Sequence, residues 1–183
     1  LAQKQLLPSI SALKEISKEN VQIIITYPNN DVGGSIISKL INSLNKKKFT
    51  NINIYKSLGR YNYHGILALS RNSNYHVVCV GNSSSGIKET PFFGCPTINI
   101  GSRQKGRLRA DNVIDVNYKK EEIISAIKKC INNKKFINKC KNVNNPYGGG
   151  NAGKIIAKTI ANIDLTPSSI LRKKMTLKGI IKN

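Results

Sequence analysis

Short apolar runs alternate along this chain with stretches whose apolar residues recur every three or four positions. Val21–Tyr27, Asn51–Leu58, Val77–Val80, Pro96–Ile100 and Asn112–Val116 have the length and the β-branched content of strands. Between them, Ser11–Glu19, the segment entered through Gly33-Gly34, Tyr63–Arg71, Ile87–Phe93 and Glu121–Ile131 carry helical spacing. The second of these places Ile36, Ile37, Leu40, Ile41 and Leu44 on one face, and the last turns Ile123, Ile124 and Ile127 inward. Pro8 suits a first helical turn. Lys134–Asn145 reads as a short helix and loop, Pro146–Asn151 as a glycine turn, and Ala152–Ile163 as a last helix before Pro167. Strands that are apolar throughout and alternate with helices predict a doubly wound parallel sheet, a Rossmann-like α/β domain. That domain is expected over residues 1–165, with a basic tail over 166–183.

Ligands of such sheets bind beyond the carboxyl ends of the strands. Three segments open there: residues 29–34, 82–89 and 101–107. The middle one, Asn82-Ser83-Ser84-Ser85-Gly86, is small and rich in hydroxyls, and it leads into a helix. Helix N-termini offer unpaired N–H groups and a dipole that favour phosphate. One serine suffices for a cap, so three between glycines point beyond capping to a phosphate or pyrophosphate at Ser83 and Ser84. Glu89 lies about one turn further on, where a carboxylate can accept from ribose hydroxyls or simply face the helix dipole. Arg103, Lys105, Arg107 and Arg109 can meet a second anionic group or form a solvated basic loop. Asn29-Asn30-Asp31 either contacts ligand or terminates a strand. His76 reads as structural. His64 is ambiguous, with nothing to mark it as a base. No hydrolytic triad, metal-ligand cluster or catalytic carboxylate pair is legible.

Composition changes the picture in two places. Thirty Lys and Arg against nine Asp and Glu leave a formal charge of +21, which raises a nucleic-acid-binding protein as a reading from another class. The lysines are scattered, aromatics make up 6%, and no nucleic-acid motif accompanies the charge, so solvated lysine in an Asn- and Ile-rich composition accounts for it. The four cysteines, Cys79, Cys95, Cys130 and Cys140, have no paired spacing; disulfides and zinc are not expected, and a reducing cytoplasm is the default. No apolar run reaches the ~20 residues of a membrane span.

The residues also resemble a known family. Gly81-Asn82-Ser83-Ser84-Ser85-Gly86-Ile87-Lys88-Glu89, then Pro91 and Phe93, then Pro96–Gly101, Arg103-Gln104 and Gly106-Arg107, are similar to the hydrolysing UDP-N-acetylglucosamine 2-epimerases. The similarity extends to Tyr27–Asp31 with Gly33-Gly34, Lys56–Gly59, Asn145–Gly148 and Gly150–Ala152. Within the motif, Lys88 and Thr90 occupy variable positions. The resemblance implies the C-terminal domain of a glycosyltransferase-B architecture. It implies an enzyme that converts UDP-N-acetylglucosamine to N-acetylmannosamine and UDP for sialic acid synthesis, without a cofactor. It places the UDP phosphates at Ser83 and Ser84, the ribose at Glu89, a nucleotide contact at Asn29, and the uracil near Ser57 and Leu58. Arg103 matches a position that binds a regulatory nucleotide in animal members. The family's catalytic acids belong to an N-terminal domain with no counterpart here, and its first strand of this domain, ending in His-Pro, would precede Leu1. A homo-oligomer is implied for the intact enzyme. A glycosyltransferase of the same architecture, or an epimerase of UDP-diacetamido sugars, would share much of this pattern.

Overall fold

The computed structural model describes residues 2–28, 33–45 and 50–163. Asn29 and the tail 166–183 lie outside them. The chain divides into two units, Leu1–Tyr147 and Gly148–Asn183. The first unit runs α1 (Ala2–Ile16), β1 (Ile23–Thr26), α2 (Gly34–Asn45), β2 (Ile52–Tyr55), α3 (Gly59–Ala68) with a 3-10 turn at Leu69–Arg71, and β3 (Cys79–Gly81). It continues through α4 (Ser85–Lys88), α5 (Thr90–Phe93), β4 (Thr97–Ile100), β5 (Val113–Val116), α6 (Lys120–Asn132) and α7 (Lys134–Lys141). The second contributes one described helix, α8 (Ala152–Ala161), on which Ile155, Ile156 and Ile160 are exposed.

Every strand pairing is parallel, as the apolar runs predict. The strands nonetheless form two sheets, β1-β2 and β3-β4-β5. In β1 the amides of Ile23 and, just beyond the strand, Tyr27 donate to Asn51 and Tyr55 on the β2 side. Amides alternate in direction along a strand, so those of Ile24 and Thr26 face the opposite edge. On β3 the Cys79 amide donates to Pro96 on the β4 side, which turns that of Val80 away. Among the described residues, these two strand edges pair with no further strand.

β4 is the middle strand of its sheet, buried at every position. Its pleat divides the labour between faces. Ile98 and Ile100 join Ala12 and Ile16 of α1 and Ile123, Ala126, Ile127 and Cys130 of α6 in the main core. Thr97 and Asn99 turn to the opposite face, where α4 and α5 lie. Gly86 of α4 packs so closely there that a Cβ would stand 3.1 Å from Thr97 Cγ2. Ion pairs Lys120–Glu15 and Lys128–Glu19 bind α6 to α1 and to the turn after it, at 2.6 and 3.1 Å, across the solvent edge of the core. Exposed pairs of this kind are screened by solvent and contribute little, so burial dominates.

Two local expectations are corrected. α1 begins well ahead of Pro8, which sits inside the helix. Proline removes a single hydrogen bond, and the buried Ala12 and Ile16 anchor the helix beyond it. The single helix expected over Ile87–Phe93 is two short helices broken at Glu89. Pro91 has no N–H to offer the carbonyl of Ile87, and the Thr90 hydroxyl occupies the carbonyl of Gly86 at 2.7 Å.

Ile123→Ala is expected to lower stability by about 2–5 kcal/mol, the range for truncating a fully buried aliphatic side chain. Urea denaturation followed by circular dichroism measures this, and a loss below about 0.5 kcal/mol, the scale of a surface change, would place Ile123 outside the core.

Candidate functional site

The loop after β3 and the hinge between α4 and α5 form one connected surface. Ser83 and Ser84 stand at its head, with the carbonyl of Ser84 accepting from Ile87 and Lys88 as α4 begins. The amides at the start of α4 have no partner within the helix. Ser85 donates through its hydroxyl to Ser83 Oγ at 3.3 Å, with its amide at 3.4 Å from the same atom. Ser84, at the N-cap position of α4, makes no side-chain cap.

α3 braces the surface from the side. Tyr63 Oη lies 2.9 Å from Ser85 Oγ. Because Ser85 directs its own proton to Ser83, Tyr63 is the donor. Burial raises the Tyr63 pKa above its usual value, with the neighbouring Cys79 acting in the same direction, so the hydroxyl stays protonated. One residue along, His64 Nε2 lies 2.7 Å from Glu89 Oε2. An ionised carboxylate only accepts, so the imidazole donates. His64 is packed between Tyr63 and Phe93, with ring centroids 5.8 and 5.2 Å away. Glu89 keeps 42% of its side chain exposed, and among the described residues no bond reaches its other oxygen.

The loop after β4 closes the opposite side. Arg103 Nη1 and Gln104 Nε2 both donate to the carbonyl of Asn82, at 3.2 and 2.7 Å. Arg109 turns back into its own loop, donating to the carbonyls of Arg107 and Gln104 and pairing with Asp115 at 3.0 Å. The basic cluster is therefore in part a set of struts rather than an anion-facing group.

Beneath the hinge lies a buried polar network. Thr90 Oγ1 donates to the carbonyl of Gly86 and accepts from Thr97 Oγ1 at 2.7 Å and Asn112 Nδ2 at 3.0 Å. Asn112 also donates to the carbonyl of Cys95 at 2.7 Å. All three side chains are nearly or fully buried. The four cysteines are free thiols. Burial pushes Cys79 up to about 12 and Cys95 up to about 11, which removes both as nucleophiles.

Of the residues singled out in the sequence, Ser83, Ser84, Glu89 and Arg103 stand on this surface. Ser57 and Leu58 join it only through α3, whose first amide, Gly59, donates to Ser57 Oγ at 3.1 Å. Asn29 lies outside the described residues.

The same segments carry a family match. The family model described as UDP-N-acetylglucosamine 2-epimerase matches residues 2–161. The chain belongs to the UDP-N-acetylglucosamine 2-epimerase family. It is 38% identical over 112 residues to a GDP/UDP-N,N'-diacetylbacillosamine 2-epimerase (hydrolyzing) of Campylobacter jejuni, a match covering 61% of this chain and 26% of that protein. It is 34% identical to a UDP-N,N'-diacetylbacillosamine 2-epimerase (hydrolyzing) of Legionella pneumophila, over 89% of this chain and 40% of the relative. A UDP-N-acetylglucosamine 2-epimerase of Neisseria meningitidis is 34% identical over 67% of this chain. The fold resembles the crystal structure of a provisionally named UDP-N-acetylglucosamine 2-epimerase from Listeria monocytogenes, with a TM-score of 0.63 at 18% identity, over 88% of this chain and 41% of that one. The chain thus spans a quarter to two-fifths of the length of these epimerase relatives.

Three features of this epimerase-family surface escape a reading of the sequence: the His64–Glu89 pair, the Tyr63 brace and the Thr90 network. Thr90 in particular sits at a position where the family motif varies. The available signal was the placing of Thr90, Thr97 and Asn112 among apolar and small residues, where a polar side chain needs a partner.

Thr90→Val keeps the shape but leaves Gly86 O and one of the two N–H groups of Asn112 without their Thr90 partner. It is expected to lower stability by about 1–3 kcal/mol, the cost of unsatisfied buried polar groups. Thermal and urea unfolding measure it, and an unchanged midpoint would show that the network contributes nothing.

Proposed function

We propose that this chain is the UDP-gripping part of a hydrolysing UDP-N-acetylglucosamine 2-epimerase, acting on the nucleotide of UDP-N-acetylglucosamine while a further domain supplies the catalytic acids. The observation that carries the reading is one surface joining a hydroxyl-rich phosphate loop, Ser83 and Ser84, to a carboxylate, Glu89, held one turn away with an oxygen to spare. A nucleoside diphosphate needs both: N–H and hydroxyl donors for the pyrophosphate and an acceptor for the ribose hydroxyls. By the family resemblance, Asn29 would add a nucleotide contact, and Ser57 and Leu58, just ahead of α3, would meet the uracil. Arg103, held against the loop carbonyl of Asn82, adds positive charge beside it.

In the reaction of this family, UDP leaves by anti elimination to give a 2-acetamidoglucal, and water then adds from the face that yields N-acetylmannosamine. The work of this chain would fall on the leaving group. Donors fixed before reaction stabilise the charge that UDP gains as its bond to the sugar breaks, without reorganisation at the moment of bond cleavage. The open edges of β1 and β3 fit the same reading. The strand that the resemblance puts ahead of Leu1 would pair with both and join the two sheets into one.

A second substrate is favoured by the relatives of Campylobacter and Legionella, both named for a UDP-linked diacetamido sugar. The residues placed here meet the nucleotide, which the two substrates share, so the sugar would be chosen by the other domain. Incubating the enzyme joined to that domain with each UDP-sugar, and identifying the released sugar, separates the two.

For the chain itself, calorimetric titration should detect UDP binding, with no N-acetylmannosamine released from UDP-N-acetylglucosamine. Glu89→Ala should weaken UDP about tenfold, about 1.4 kcal/mol and the scale of one charge-assisted hydrogen bond, while leaving pyrophosphate nearly unchanged. Equal loss for both ligands would remove Glu89 from the ribose, and no binding of UDP would overturn the reading.

A further inference from the structure

We infer that His64 is a positioning residue for nucleoside recognition, fixing the Glu89 carboxylate so that one oxygen faces the ribose; the inference rests on the UDP-binding reading above. Glu89 occupies a break between two four-residue helices, with φ −101° and ψ −41°. At such a place no regular helix neighbour restrains the side chain, and a free glutamate loses rotamer entropy when it binds. His64 removes that freedom in advance. Its Nε2 donates to Oε2 at 2.7 Å, a short charge-assisted contact, and among the described residues the other oxygen has no partner.

The imidazole is itself held. Tyr63 and Phe93 flank the ring at centroid distances of 5.8 and 5.2 Å, and Phe93 rests edge-on against Phe92 at 5.2 Å. The neighbouring residue on α3, Tyr63, reaches Ser85 in the phosphate loop. Ser85 and Glu89 are four apart, so they rise on one side of the α4 turn, and consecutive residues of α3 meet them both. One helix thus sets two halves of the site: Tyr63 orients the hydroxyls for the phosphates, and His64 orients the acceptor for the sugar. His64 is 33% exposed at its side chain, partly open to the surface it serves.

Removing the donor should therefore weaken recognition of the nucleoside and spare that of the phosphates. His64→Phe keeps the ring stack and removes the hydrogen bond, whereas His64→Gln keeps an amide donor near the position of Nε2. Titration of the whole chain with UDP and with inorganic pyrophosphate reads the difference. His64→Phe is expected to weaken UDP about fivefold, less than the loss of a whole charge-assisted bond, with pyrophosphate changed less than about twofold. His64→Gln should recover most of the lost affinity, and adding His64→Phe to Glu89→Ala should cost nothing further. UDP bound equally by wild type and His64→Phe would overturn the inference, as would parallel losses for both ligands, which a role in folding alone would produce. Absence of UDP binding by the wild-type chain would instead bring down the reading on which the inference rests.

Discussion

The candidate site rests on a buried triangle of polar side chains, Thr90, Thr97 and Asn112. Thr90 uses its full hydrogen-bonding capacity, donating to Gly86 and accepting from Thr97 and Asn112. That single hydroxyl joins α4, the central strand β4 and the entry to β5. In a dry interior such a hydroxyl resists displacement, because moving it leaves its partners unsatisfied at a cost of about 1–3 kcal/mol. It also determines where the helix breaks. With Gly86 O engaged by a side chain and Pro91 unable to donate, the chain turns at Glu89 and directs its carboxylate to α3. A local interruption that would weaken an ordinary helix here locates the Glu89 carboxylate.

The strand and helix order was legible in the sequence because it rests on periodicity, a local property. β4 shows this: Thr97-Ile98-Asn99-Ile100 is short, β-branched and central, and its alternation is the alternation between core and site. The loop 82–89 was legible for a similar reason, since serines flanked by glycines have few structural uses. What escaped is long-range pairing. His64 and Glu89 are 25 residues apart, and neither shows its partner by type or spacing. Arg109 looked like its neighbours in a basic run, and only the fold reveals that Asp115 and two loop carbonyls claim it. Thr90 looked incidental because the chemistry it serves is that of the backbone beneath the site. The division into two sheets could not be read from strand order, which specifies connection but not which edges meet.

Charge is the last constraint, and its effect is distributed. Glu15, Glu19, Asp111, Asp115 and Glu122 each pair with a Lys or Arg that also ties one element to another or steadies a loop or helix end. Lys139–Asp111 is typical, joining α7 to the segment ahead of β5 at 3.0 Å. With the few acids committed in this way, the field around the rest of the surface is positive and raises the local concentration of any anion, a nucleotide diphosphate included. Such a field does not distinguish one anion from another. Distinction requires an acceptor as well as donors, and Glu89, partnered by an imidazole and not by one of the thirty Lys and Arg residues, is the acidic group that remains open at the surface of the loop. On the proposed reading, a cation clamped onto it would neutralise the feature that separates a nucleoside from a bare phosphate. Pairing with His64 leaves an oxygen available among the described residues, so under that reading the choice of partner would keep the site selective within a strongly basic chain.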